Sequence, residues 1–193
     1  PGERALDLCA APGAKTTHLA ALLEGRGELV AVERHPRRAE SLRRTCRRMG
    51  ADVARVETGD AAQTRTDGPF DRVLVDPPCS GLGTLQSRPD LRWRATREAI
   101  GELAEIQGRI LAAAAAATVP GGTLVYSVCT ISAAEGEGVV NGFLREHPEF
   151  TADDLGEEYP EWGHPAGPPF LQLLPDRDGT DGFFIARLRR SPL

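Results

Sequence analysis

No apolar run in this chain of 193 residues reaches membrane-spanning length, and no charged-then-apolar leader opens it. A cytoplasmic location without membrane contact is therefore the expectation. Paired cysteines are missing too. Cys9, Cys46, Cys79 and Cys129 lie far apart and none sits in a Cys-x-x-Cys spacing, which argues against a zinc site or a disulfide framework. Free thiols are expected, some of them reactive, and no metal. Internal repeats are absent. Lysine is nearly absent as well: Lys15 is the sole lysine in a chain that otherwise uses arginine for positive charge.

The net charge of −5 is a weak argument against nucleic acid, but the sign is uneven. Arg34, Arg37, Arg38, Arg43, Arg44, Arg47 and Arg48 crowd one segment, and acids collect between Glu149 and Glu161. The arginines read slightly better as a solvated helix face than as an RNA contact. With 40% hydrophobic and 26% charged residues, the composition is that of one globular domain with a core.

The apolar pattern predicts strands at 4–8, 28–32, 53–57, 70–75 and 123–127. Helices are predicted at 15–23, from 36 onward, at 96–118 and at 134–146. Ala39, Leu42, Cys46 and Met49 are spaced as one helical face, and Ile100, Leu103, Ile106, Ile110 and Leu111 as another. Pro120-Gly121-Gly122 reads as a turn, and the pattern breaks down over 150–169. Strands at 170–174 and 182–188 then form an expected hairpin at the sheet edge. Strands alternating with helices imply an α/β fold, a mostly parallel doubly wound sheet with a C-terminal antiparallel hairpin. One domain is expected over 1–193: a cofactor and catalytic core at 1–148, and an acidic, proline-rich loop plus hairpin at 149–193. Functional residues should gather outside the carboxyl ends of the strands.

The residues there are unusual. Cys9-Ala10-Ala11-Pro12-Gly13-Ala14-Lys15 joins the first strand to the first helix. Its small side chains allow a ligand close to the backbone, and a helix N-terminus follows. Keeping one ammonium in a glycine turn of an arginine-biased chain points to a need for it. Glu33, 20 residues beyond Gly13, can accept ribose hydroxyls, and Asp60 at the next strand end can accept from an adenine amine. The loop lacks the Gly-x-Gly-x-x-Gly fingerprint, which favours a nucleoside without pyrophosphate. Together these residues point to S-adenosylmethionine.

Asp76-Pro77-Pro78-Cys79 is a stiff, donor-poor turn of the kind that holds a reacting group in place. Cys129 ends the neighbouring strand, so the two thiols should face one cleft. Two thiols, an aspartate and a methyl donor suit methylation at carbon 5 of cytosine. A thiolate adding to carbon 6 makes carbon 5 nucleophilic, and Asp76 would assist at the ring nitrogen.

These segments, with Tyr126-Ser127-Val128-Cys129, Arg88-Pro89-Asp90-Leu91-Arg92-Trp93 and Asp181-Gly182-Phe183-Phe184, resemble the catalytic domain of the Nop/Sun family of RNA cytosine-5 methyltransferases. Within that family the likeness is greatest to the bacterial 16S ribosomal RNA enzymes of the Sun type. The resemblance implies a Rossmann-like S-adenosylmethionine-dependent fold. It makes Cys129 the nucleophile and Cys79 the residue that releases methylated RNA, with Asp76 between them and the cofactor. Residues Cys9 to Lys15, Glu33, Arg38, Asp60 and Asp76 would bind or adjoin S-adenosylmethionine. The chain departs from the family pattern at Glu33 (usually aspartate), Ala14 (glycine), Val128 (threonine) and Gly136 (asparagine). Alternatives left open are a tRNA cytosine-5 enzyme, a non-catalytic RNA-binding module, an amino-methyltransferase, and a DNA-type enzyme with Cys79 as nucleophile. A monomer acting on 16S rRNA is expected. Family members carry RNA-binding segments before this domain, and their absence predicts that the 193-residue chain binds cofactor but methylates RNA poorly alone. Robust turnover by this chain would overturn that expectation.

Overall fold

Strands covered on both faces must be apolar throughout, and β1 (Arg4–Leu8) and β2 (Glu28–Glu33) are buried from their second residue onward. The two-residue period of a strand divides their side chains between two cores. Leu6, Leu8, Val30 and Val32 enter one, and Ala5, Leu29 and Ala31 the other. These assignments come from a computed structural model that describes residues 1–63 and 68–192.

The remaining elements are α1 (Ala14–Leu22), α2 (Pro36–Arg48), β3 (Ala54–Thr58), β4 (Phe70–Val75), α3 (Arg97–Ala117), β5 (Thr118–Val128) and α4 (Glu137–Glu146). After these come β6 (Phe150–Ala152), the single turn α5 (Leu155–Glu158), β7 (Leu171–Leu173), the single turn α6 (Pro175–Asp178) and β8 (Phe183–Arg190). The sheet runs β3-β2-β1-β4-β5-β8-β6, with β7 also on β8. Strands β1 to β5 are parallel, and β8 is antiparallel to each of its neighbours. This is the doubly wound α/β sheet that the alternation predicts. Helices α1 and α2 cover one face through Ala20, Leu42 and Cys46. Helices α3 and α4 cover the other through Ile110, Leu111, Ala114, Val140 and Phe143.

Several details differ from the sequence pattern. The second hairpin strand does not lie at the edge. β8 pairs with β5 on one side and with β6 and β7 on the other, and Phe184, Ala186 and Leu188 are fully buried. Pro120-Gly121-Gly122 does not separate helix from strand. β5 begins at Thr118, and the pairing jumps from Phe70↔Thr118 to Arg72↔Thr123, so the proline and glycines form a bulge inside the strand. Met49 lies beyond the last turn of α2 and is exposed rather than inward. The helix at 134–146 starts only at Glu137. Along α3, Ile110 and Leu111 are core, while Ile100, Leu103 and Ile106 are half-buried because the first half of the helix runs past the sheet.

One close backbone approach ties the strand ends together. The Gly83 N–H donates to the Cys129 carbonyl at 3.1 Å, and the Gly83 carbonyl accepts from the Gly182 N–H at 2.7 Å. A Cβ on Gly83 would lie 2.0 Å from the Gly182 oxygen. Gly83→Ala is therefore expected to destabilise by about 1–3 kcal/mol, which lowers Tm by roughly 2–10 °C at this size. Thermal denaturation checks this, and an unchanged Tm would show that these loops yield freely.

Candidate active site

Parallel strands deliver their carboxyl ends to one side of the sheet, and where β1 meets β4 the winding direction reverses and opens a crevice. A cavity of about 430 Å³ lies there, a size suited to a small organic ligand. Its walls bring together Cys9, Ala11, Pro12, Glu33, Arg38, Asp60, Asp76, Cys79 and Cys129. Ala10, Gly13 and Ala14 shape the loop instead of lining the cavity. Ala10 is buried, Gly13 takes φ 113° against Leu42, and Ala14 is the exposed first residue of α1. A methyl at position 14 therefore meets no left-handed backbone.

The loop after β1 is fixed by Asp7, whose Oδ2 accepts from the Thr16 hydroxyl at 2.6 Å and so ties α1 to the strand. Burial pushes the Asp7 carboxyl up to about 7. Its Oδ1 is the buried side-chain oxygen without a hydrogen-bond partner among the described residues. Cys9 takes a left-handed backbone, φ 67°. Burial, with Glu33, Asp76 and Asp7 nearby, pushes its thiol up to about 12, which leaves it unreactive at neutral pH. Arg38 joins two walls: it donates to the Ala11 carbonyl at 2.9 Å and stands 3.5 Å from Glu33 Oε2. Glu33 Oε1 accepts from the His35 N–H at 2.8 Å, and Asp60 Oδ1 from the Ala62 N–H at 3.0 Å. Each carboxylate keeps lone pairs for a ligand. The Lys15 ammonium sits 2.7 Å from Asp76 Oδ2 and 5.5 Å from the Phe183 ring centroid, so the sole lysine is held at the aspartate.

The two thiols meet because β4 and β5 are neighbours in register, Val75 beside Tyr126, and their following loops leave side by side. Cys79 Sγ and Cys129 Sγ are 3.3 Å apart. The hydrogen bond with Cys79 lowers the Cys129 thiol below the ordinary thiol range. Burial and Asp76 oppose that shift, and the Arg88 charge adds to it. Cys79, as donor, is pushed up, and its own burial adds to this. The contact thus shifts the two thiols in opposite directions, Cys129 toward the thiolate and Cys79 toward keeping its proton.

The sequence reading missed what holds this pair. Glu135 is fully buried. Its Oε1 accepts from the Ser80 N–H at 2.8 Å and from Gln107 Nε2 at 3.0 Å. Its Oε2 accepts from the Ser80 hydroxyl at 2.5 Å and the Thr130 hydroxyl at 3.2 Å. Gln107 also donates to the Pro78 carbonyl, and the Tyr126 hydroxyl donates to the Glu135 carbonyl. Ser80 directly follows Cys79 and Thr130 directly follows Cys129, so one carboxylate clamps both reactive loops. A sequence signal existed: a hydroxyl residue follows both Cys79 and Cys129, and Gln107 is the one polar residue among the buried positions of α3. Nothing local linked them to Glu135. The departures from the family pattern also fit this packing. Val128 is fully buried, and a Cβ on Gly136 would press to 3.0 Å on the Phe184 ring.

A smaller hollow beside α2, about 280 Å³ and lined by Arg43, Cys46, Arg47 and Asp52 among others, holds one thiol and one carboxylate and no second thiol. Among the described residues no cluster of three metal-ligating side chains occurs, and no helix is long and apolar enough to cross a membrane.

A doubly wound sheet with this strand order and a carboxylate-lined crevice at its strand ends is the Rossmann-like fold of S-adenosylmethionine-dependent methyltransferases. Within that class the chain belongs to the family described as 16S rRNA methyltransferase RsmB/F, whose model matches residues 1–189. It is 42% identical over 190 residues to the ribosomal RNA small subunit methyltransferase B of Thermus thermophilus, covering 98% of this chain and 46% of that protein. It is 39% identical over 193 residues to the probable ribosomal RNA small subunit methyltransferase B of Bacillus subtilis, covering 97% and 43%. The structure of NSun6 from Pyrococcus horikoshii with SFG superposes with a TM-score of 0.87 at 32% identity, covering 97% of this chain and 48% of that one. The chain thus spans less than half the length of each of these relatives.

Replacing Glu135 tests the clamp. Glu135→Gln turns one accepting oxygen into a donor that faces other donors, a mismatch that costs about 1–3 kcal/mol. Tm is expected to fall by roughly 2–10 °C, and alkylation of Cys129 by iodoacetamide should slow as its loop loosens from Cys79. Unchanged melting and alkylation together would dismiss the clamp.

Proposed function

We propose that the chain transfers the methyl group of S-adenosylmethionine to carbon 5 of a cytosine in RNA, with 16S ribosomal RNA as substrate, through a covalent cysteine adduct. The observation that carries this reading is the Cys79–Cys129 pair, 3.3 Å apart in the cavity that Asp76 and Glu33 also line. The RNA class is supported by the relatives, which bear the name of ribosomal RNA small subunit methyltransferases.

The cavity fits the cofactor by its donor set. Glu33, steadied by Arg38, would take the ribose hydroxyls, and Asp60 an adenine amine. The Cys9–Pro12 wall would take the methionine end, close to Lys15 and Asp76. A solved relative with SFG, a cofactor analogue, supports the assignment. When bound, S-adenosylmethionine supplies an electrophilic methyl on a sulfonium sulfur.

The residues of the chain prepare the acceptor. Cytosine carbon 5 is a weak nucleophile. The Cys129 thiolate forms a bond to carbon 6, and the displaced electron pair makes carbon 5 enamine-like. The ring nitrogen, which gains negative charge as the thiolate adds, accepts a proton in a hydrogen bond from Asp76, whose carboxyl sits beside the Lys15 ammonium. After carbon 5 takes the methyl, a base removes the carbon 5 proton, the carbon 6–sulfur bond breaks, and Cys129 leaves as thiolate. Cys79, in contact with the departing sulfur, assists this release. The lowered Cys129 and raised Cys79 thiols favour these roles over the reverse, DNA-type assignment.

With cofactor and cytosine-containing RNA, Cys79→Ala should accumulate a denaturant-resistant protein–RNA adduct, and Cys129→Ala should form none. The opposite pattern would overturn the assignment of the nucleophile. The pH dependence follows from the same hydrogen bond. Cys129 ionises as pH rises and its thiol is lowered, so adduct formation by the unaltered chain should climb at a lower pH than an ordinary thiol requires. Cys79→Ala removes the hydrogen-bond partner, so its midpoint should move upward, toward the ordinary thiol near about 8.5. Equal midpoints, read by quenched-flow adduct formation, would dismiss that coupling.

A further inference from the structure

A strap between β4 and α3 forms the rim of the catalytic cavity. Residues 88–97 carry Arg88, Arg92, Arg94 and Arg97 against the single acid Asp90, in a chain of net charge −5. Pro89–Trp93 is a 3₁₀ turn that seats the strap on the Cys79 loop. Leu91 packs so closely over Gly81 that a Cβ there would lie 2.6 Å from Leu91 Cδ1. Leu91 and Arg88 line the cavity that holds both thiols.

Trp93 lies two residues beyond Leu91 and is 77% exposed, more than any other large hydrophobic residue described. A lone exposed apolar residue is ordinary. This one is singled out by its place and its neighbours. The Arg92 guanidinium lies 4.8 Å from the ring centroid and covers one face of the indole. The rest of the indole is exposed, two residues from the cavity-lining Leu91 and between Arg92 and Arg94 in the chain. An aromatic face within a cationic strip is the arrangement that binds single-stranded nucleic acid: bases stack on the ring, and the cations track phosphates. The arginine helix α2 lacks it. Its Arg43 and Arg47 both lie 3.5 Å from Glu40, and it carries no aromatic side chain.

We infer that Trp93 is a stacking platform for an unpaired base of the RNA substrate next to the target cytosine, with Arg92, Arg94 and Arg97 holding the flanking phosphates. This rests on the proposed RNA activity and deepens it. Trp93 is a positioning residue for substrate and does not touch the reacting atoms.

The chain has two tryptophans, Trp93 and Trp162, so Trp162→Phe leaves Trp93 as the sole reporter. Titrating that variant with a single-stranded, cytosine-containing RNA 12-mer should quench its emission saturably. Polyglutamate and inorganic polyphosphate, which offer charge without bases, should not. In a Cys79→Ala background, Trp93→Ala should raise the RNA concentration for half-maximal adduct formation about 5- to 100-fold. The plateau rate should change far less, and Trp93→Phe should recover most of the loss. Arg92→Ala should flatten the salt dependence of binding by about one phosphate contact, and Arg48→Ala on α2 should change neither. A half-saturating concentration unmoved by Trp93→Ala, or equal quenching by polyglutamate, would overturn the platform. Adduct formation at the usual plateau would then leave the RNA activity standing. No adduct with Trp93 intact, at RNA concentrations that saturate the quench, would defeat the RNA activity itself.

Discussion

The fully buried carboxylate of Glu135 holds the reactive part of the molecule together. A charge taken out of water is costly unless its oxygens are matched, and here each oxygen accepts two hydrogen bonds. The donors come from the residue after Cys79, the residue after Cys129 and a glutamine of α3. Separating the loops would strand that charge, so the network resists any movement that parts the thiols. The 3.3 Å sulfur contact is a consequence of this clamp and of the register between β4 and β5.

The thiol contact in turn divides the chemistry. Two identical side chains in one cavity take opposite characters because a shared hydrogen bond stabilises negative charge on one and retains the proton on the other. Arg88, reaching in from the rim strap, favours the thiolate on Cys129, and Asp76 opposes it. Lys15 balances the aspartate from the other side. Lys15, Asp76, the two thiols and Arg88 therefore form one electrostatic unit, although they come from three strand ends and a loop.

The side of the cavity proposed to take the cofactor is built differently. Its carboxylates are held by local contacts, Glu33 by its own loop and Arg38, Asp60 by the N–H two residues on. Such devices are legible as short-range patterns, whereas the clamp at Glu135 joins residues 28 and 55 positions away in the chain. That contrast explains why Glu33 and Asp60 stand out as candidates in the sequence, whereas Ser80, Gln107, Thr130 and Glu135 do not.

The sequence by itself determined the strand–helix alternation, the parallel doubly wound sheet, the loop of small residues around Lys15 and the two loop cysteines. Each of these is written in local periodicity or in residue types at strand ends, where backbone geometry leaves little choice. The tertiary structure alone decided that β8 is paired on both sides and that Pro120-Gly121-Gly122 is a bulge within β5, because strand neighbours are chosen by burial across the whole sheet. It also decided which thiol is acidic and what fixes the pair, since proton affinity depends on partners distant in sequence that only folding brings within hydrogen-bond reach.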